Sequence, residues 1–449
     1  MALDRECLKI LSAALEKLDA GFSSLPDFSS DDGGAARMRE VLLSLAEKLQ
    51  DNYPYFHPLY AGQMLKPPHP MARLAYSLAM YINPNNHALD GGRATSKLEM
   101  AAVAEIAAMY GWKGFLGHLC GGGTMANLEA LWVAGQLHPG KKIVASDQAH
   151  YTHERISAVL QLPFEKVVSD ARGRMDLNAL EKLVAGGDVG TVVATMGTTA
   201  TGSVDPLPEI LKLRERFGFR VHVDGAYGGY FVLASNLAES ATEKFARIGE
   251  AESIVIDPHK HGLQPYGCGC VLFRDPALGR LYKHDSPFTY FSSKELHLGE
   301  ISLECSRPGA AAAALWATQK LLPLVRGGEF AGGLERGREA AMQFFRAIES
   351  TGLFVAAFEP ELDILVFVPK GDSIEEISAE SRRIFAAAAR RGLHLAVAEL
   401  PVKFWSSLKP ESGRATVTCL RSVLMKPEHL EWVGRVVEVL KSAAAGEAG

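Results

Sequence analysis

The chain has 449 residues, 47 basic and 52 acidic, for a formal net charge of −5, with 47% hydrophobic and 22% charged residues. That length allows two or three structural units with a large core, and the composition excludes a disordered chain. The slight acidic excess argues against a dedicated nucleic-acid binder, which would carry a basic stripe. Asp4, Arg5 and Glu6 near the start do not suit a secretory leader, and no apolar run approaches the roughly 18 residues that span a bilayer. Six scattered cysteines without a CxxC pair suit free thiols in a reducing, cytoplasmic compartment.

In chain order, residues 1–95 open with helical spacing over Leu8–Leu18 and Met38–Leu49, separated by a Ser-, Asp- and Gly-rich loop. Turn-rich stretches follow, Tyr53–Pro58 and Asn83–His87, of the kind that wraps another surface. Residues 96–305 alternate strand-like runs (142–145, 191–195, 220–223, 253–256, 270–273) with helical patterns such as Leu177–Val184 and Pro208–Phe217. Such alternation predicts an α/β layer with a mainly parallel sheet, functional groups clustering in loops at the strand ends. Residues 306–449 predict a smaller α+β domain. It carries helices over 310–324 and 334–350, a strand at 363–368, a helix at 374–391, strands near 393–398 and 414–420, and a closing helix.

Four features carry chemistry. Lys260 follows a strand in Ile256-Asp-Pro-His-Lys-His-Gly262, where desolvation would favour a neutral, nucleophilic amine; a solvated loop lysine is the blander alternative. Asp224 ends a strand in Val221-His-Val-Asp-Gly-Ala-Tyr227 and could keep a buried cation protonated, or merely cap a helix. Gly121–Gly123 and Thr124 run into a helical pattern and suit an anion, although neither GxxxxGK[ST] nor GxGxxG is present. His150 and His153 stand at i, i+3; a metal pair is weighed, but neither HExxH nor HxxEH occurs, and stacking or proton transfer suits the position equally. Jointly, an amine nucleophile, an acid for a ring nitrogen, a phosphate cradle and a stacking histidine are what pyridoxal 5′-phosphate requires.

The blocks HVDGAYGGYF and SIVIDPHKHG, with Lys260 36 positions after Asp224, are similar to the group II family of pyridoxal-phosphate amino-acid decarboxylases. SDQAHYTHER, ATMGTTATGSVDPL and GGGTMANLEAL fit the same family in the same order. The resemblance implies fold type I: a large α/β domain binding the cofactor, a small C-terminal α+β domain and an N-terminal helical clamp. It implies that Lys260 is the Schiff-base lysine, Asp224 the partner of the ring nitrogen, and His150 the residue stacked on the ring. It also implies that Gly123 and Thr124 grip the phosphate with His259 nearby, Thr199 lies near the phenolic oxygen, and Ala226 packs under the ring. The activity implied is α-decarboxylation of an L-amino acid by a homodimer with shared active sites. Asp257, an anion beside a phosphate, is expected to point away or to pair with a histidine or lysine.

The stretch 284–298 and Ser306-Arg-Pro-Gly309 look more like bacterial and archaeal tyrosine or aspartate decarboxylases than animal enzymes. His150 and Tyr290 are the candidate proton donors to Cα. Tyr55, Phe56, Tyr60 and Phe288 would favour an aromatic substrate if they reach the site, and could equally be interface packing. The rivals are a transaminase or carbon–carbon lyase, for which Arg421 could clamp a retained carboxylate, aspartate or glutamate decarboxylation, a silent cofactor binder, and a zinc hydrolase built on His150 and His153.

Overall fold

A computed structural model describes residues 5–26, 34–87, 91–282, 301–409 and 411–446. Its larger sheet has seven strands: β1 (Leu116–Cys120), β2 (Lys142–Ser146), β3 (Phe164–Val167), β4 (Val189–Thr195), β5 (Arg220–Asp224), β6 (Ser253–Ile256) and β7 (Gly269–Phe273). Their spatial order is β1-β7-β6-β5-β4-β2-β3. Only β7 runs against its neighbours; the other pairings are parallel. Every residue of β4, VGTVVAT, is buried, as expected of a parallel strand covered on both faces. Helix Gly123–Leu137 packs on β6 and β7, and its buried Ala126, Ala130 and Val133 share an apolar cluster with Val255 and Val271.

The smaller sheet has the order β10-β11-β9-β8, with β8 (Phe354–Ala356), β9 (Ile364–Pro369), β10 (Ala396–Pro401) and β11 (Thr416–Val423), all antiparallel. Helices Glu329–Ser350, Ile374–Arg390 and His429–Ala445 pack with this sheet around Phe344, Phe354 and Phe367.

The five strands expected in residues 96–305 are present to within two residues at their ends, and those expected near 393–398 and 414–420 lie up to three residues further on. Three were not anticipated: β1, interrupted by Gly117 and His118; β3, whose Glu165 and Lys166 dilute its apolar pattern; and the three-residue β8. Helices Pro70–Met80 and Arg93–Met109 were also unanticipated, the latter crossing residue 95. The N-terminal helices are Arg5–Ala20 and Ala35–Leu49, and neither buries a residue within the chain. No helix among the described residues is long and apolar enough to cross a membrane.

Candidate active site

The loops leaving β1, β2, β4, β5 and β6 meet in a cavity of about 520 Å³, at the carboxyl ends of parallel strands. Lys260, His150, Asp224, Gly123, Thr124, Thr199, Ala226 and His259 all line it.

Asp224 ends β5 with its side chain in the buried layer. Its Oδ1 accepts the Ala226 N–H at 3.1 Å, and its Oδ2 lies 2.8 Å from His153 Nε2. Burial pushes the carboxyl up, but His153, the Lys260 charge and the Ala226 N–H outweigh it and hold the group well below the usual carboxylate range. His153 is the functional residue that sequence reasoning did not assign. Its i, i+3 spacing from His150 put it on the inward face of helix Thr152–Val159, but the carboxylate it meets is 71 residues away. The two histidines therefore do not form a pair: His150 Nδ1 lies 2.8 Å from Thr152 Oγ1. Burial lowers the His150 pKa, only partly opposed by Asp224, and so favours the uncharged ring.

Lys260 is not a bare desolvated amine. Its side chain is 21% exposed, and Nζ lies 3.0 Å from Asp257 Oδ2. Asp257 also stands 3.5 Å from His259 Nε2, so the expected anion is paired by both a lysine and a histidine. The His259 ring contacts the Cys268 carbonyl at 2.9 Å and packs on Tyr266.

Glycines shape the opposite wall. A Cβ on Gly123 would sit 2.7 Å from Asp257 Oδ2, and one on Gly269 would sit 2.5 Å from the Gly122 carbonyl carbon. Gly122 itself has φ +143°, which side chains rarely adopt. Helix Gly123–Leu137 begins at this point, so its first N–H groups lack intrahelical acceptors and face the cavity with the favourable dipole end. Glu304, not anticipated as a lining residue, accepts the Gly121 N–H at 2.9 Å.

Thr199 is presented by a pinned loop. Asp205, pushed up by burial to about 6, accepts the Met175 and Thr195 N–H groups, and Thr198, Thr201 and Ser203 link their hydroxyls. Arg421, from β11, donates to the Thr199 carbonyl at 2.6 Å, Ala200 at 3.0 Å and Gly62 at 3.0 Å. Its guanidinium is buried, ties the two sheets' loops together and does not line the cavity. The carboxylate-clamp role considered for it is therefore not the one its contacts serve.

Nor do Tyr55, Phe56 and Tyr60 line this cavity. Tyr55 and Tyr60 pack edge to face with rings 5.0 Å apart, next to Tyr53 and His394, and Phe56 lines a different cavity. Phe288 and Tyr290 lie outside the described residues.

This arrangement fits pyridoxal 5′-phosphate: an amine at the wall, a buried ionised carboxylate, and a glycine-lined helix start that a side chain would fill. The architecture is that of fold type I pyridoxal-phosphate enzymes. It superimposes on a crystal structure of Oryza sativa TDC with PLP and tryptamine with a TM-score of 0.78, covering 99% of each chain at 17% identity. A model of the pyridoxal-dependent decarboxylase conserved domain matches residues 45–370, and the chain belongs to that family, with pyridoxal 5′-phosphate as its cofactor. It is 29% identical over 388 residues to the L-tyrosine decarboxylase of Enterococcus faecium, an alignment spanning 64% of each protein. It is also 29% identical over 316 residues to a probable L-tyrosine/L-aspartate decarboxylase of Methanothermobacter thermautotrophicus, spanning 68% of this chain and 82% of that protein.

Proposed function

We propose that the protein decarboxylates an L-amino acid, tyrosine-like by preference, to its amine and carbon dioxide. The observation that carries this reading is one cavity faced by both Lys260 and the Asp224–His153 pair. When bound, pyridoxal 5′-phosphate supplies an electron sink for bond breaking at the amino acid's Cα. Gly123, Thr124 and His259 would hold its phosphate, Lys260 its aldehyde carbon, and Ala226 and His150 the two faces of its ring; Thr199 would approach its phenolic oxygen.

Asp224 holds a proton at the ring nitrogen, because a carboxylate kept ionised in a buried site favours a cation opposite it. His153 maintains that charge and fixes the direction of Oδ2. Asp257 keeps the Lys260 ammonium directed into the cavity until the aldehyde arrives. His150, covering the cavity, positions the substrate carboxylate, and after taking up a proton its imidazolium can return that proton to Cα. The tyrosine preference is supported by the substrates named for the two relatives.

The assembly is a homodimer with active sites at the interface. In support, helix Ala35–Leu49 exposes Met38, Val41, Leu42, Leu43 and Leu45 together, more apolar surface than an unpartnered helix usually shows. Because helix Arg93–Met109 crosses residue 95, the clamp is residues 1–92, with 93–305 the cofactor-binding domain and 306–449 the small domain. A cytoplasmic location fits Cys120, Cys268, Cys270, Cys305 and Cys419 as free thiols. The test is product analysis of the holoenzyme over a panel of amino acids. Tyramine from tyrosine with stoichiometric carbon dioxide is expected; a keto acid without amine would overturn the reading.

A further inference from the structure

A second cavity, of about 650 Å³, opens where residues 66–73, the loop after Lys260 and residues 425–428 meet. Its inner wall carries two ammonium groups. Lys66 Nζ donates to the Met425 carbonyl at 3.3 Å, and Lys426 Nζ to the Tyr60 carbonyl at 2.6 Å, with the Tyr60 ring 5.2 Å away. Neither lysine has a carboxylate within ion-pair distance among the described residues, and each ammonium has three N–H groups to satisfy. Lys426 is 4% exposed and Lys66 half-buried. Burial pushes Lys66 down to about 8, outweighing the attraction of Asp363 and Glu428, and burial together with the Lys66 charge pushes Lys426 down to about 7 against the attraction of Glu428.

The other lining groups narrow the ligand. Phe330, Leu334, Leu263 and Met425 supply an apolar wall. Arg73, Glu329 and Glu428 stand exposed at the rim, and Arg336 is paired with Glu431. The two rim carboxylates disfavour an extended polyanion, while the inner lysines favour a compact doubly charged end.

This cavity shares a wall with the active cavity. His261, the residue after Lys260, lines it and is buried. Its Nε2 lies 3.2 Å from Asp363 Oδ2, and Asp363 Oδ1 accepts the Tyr227 hydroxyl at 2.5 Å. Tyr227 lines the Lys260 cavity, and its ring packs on His261 with centroids 4.8 Å apart.

We propose that the second cavity binds a small amphipathic dianion, an aryl or acyl phosphate or phosphonate, and that its occupancy biases the active cavity through His261, Asp363 and Tyr227. The charged end sits on Lys66 and Lys426 and the apolar body on Phe330 and Leu334. Binding stands independently of the proposed reaction; the coupling rests on it.

The experiment is calorimetric titration of the holoenzyme with phenylphosphonate in phosphate-free buffer, repeated with Lys66→Gln and Lys426→Met. One saturable site per chain is expected, weakened at least tenfold in each variant. Lys66→Gln, at a half-buried position, carries the test where Lys426→Met melts early. No saturable binding, or equal affinity in wild type and Lys66→Gln, overturns the site; the latter result would place the probe in the active cavity instead. For the coupling, saturating phenylphosphonate should change kcat/KM at least twofold in wild type and leave Lys66→Gln unchanged. The absorption band of the bound cofactor provides a second readout that needs no turnover. Binding with neither kcat/KM nor band altered overturns the coupling alone, and absence of turnover on every amino acid overturns the proposed reaction without touching the binding result.

Discussion

Replacing His153 by Leu removes the group that keeps Asp224 ionised. The pair is buried on both sides, with His153 1% and Asp224 5% exposed, so water cannot take over the lost contact. A hydrogen bond to a charged group contributes about 1.5–3 kcal/mol, and the dry setting places this one toward the upper end. Removing it lets the upward push of burial act on Asp224, so the carboxyl is less able to hold a proton at the cofactor's ring nitrogen. The expected loss is about 10- to 150-fold in cofactor affinity and in kcat/KM, read by absorption titration of the apo-protein and by steady-state kinetics. The pH response has a definite sign. A carboxyl whose folded pKa is depressed stabilises the fold above its unfolded value, about 3.9, and that stability is lost as pH falls through the folded value. Taking His153 away raises the folded value, so acid unfolding should begin at higher pH. Unchanged cofactor affinity together with an unchanged acid-unfolding curve would refute the assignment of His153 as the residue that positions and charges Asp224.

Other predictions follow from the same geometry. Gly123→Ala should weaken cofactor binding at least tenfold while changing the melting temperature little, because the new Cβ meets Asp257 Oδ2 at 2.7 Å inside the cradle; titration of the apo-protein checks this. Arg421→Lys should lower stability by about 1–3 kcal/mol in urea unfolding, since an ammonium cannot bridge the Thr199, Ala200 and Gly62 carbonyls as the guanidinium fork does. A change confined to KM for the amino acid, with stability intact, would instead restore the carboxylate-clamp role. Burial lowers His222 and His429 to about 3. Both stay neutral in the fold while the unfolded chain protonates, so stability falls as pH drops from about 6.5 toward 3, by about 1.4 kcal/mol per pH unit for each. Urea unfolding at pH 7 and pH 5 should show that slope, and it should be shallower in His222→Gln.

What was legible in the sequence was the local part of the site. Lys260, Asp224, His150, Gly123 and Thr199 each sit at or just beyond the carboxyl end of a strand, and parallel topology brings such strand ends together. What could not be read were the partnerships made across the sheet order. Asp224 and His153 meet because β2 and β5 flank β4, and nothing in the spacing of the i, i+3 histidines reveals that. Arg421 reaches Thr199 across 222 residues and Tyr227 reaches Asp363 across 136; both depend on how the small sheet docks on the large one. The overlooked β1 has a similar cause: its His118 is compensated by a buried Glu129 at 2.9 Å, a pairing between elements that local polarity conceals. The aromatic residues near position 55 stay ambiguous in the sequence because their composition suits either a substrate pocket or packing, and the structure shows Tyr53, Tyr55 and Tyr60 packed on one another.

The proposed function depends on Lys260 carrying the cofactor in an amino-acid decarboxylase. The most direct measurement is borohydride reduction of the holoenzyme followed by peptide mass spectrometry, on the same preparation whose products from tyrosine are analysed. A pyridoxyl phosphate adduct on Lys260 is expected, with tyramine and carbon dioxide formed before reduction and neither after it. An adduct on another lysine, or a Lys260 adduct accompanied by a keto acid and no amine, would contradict it.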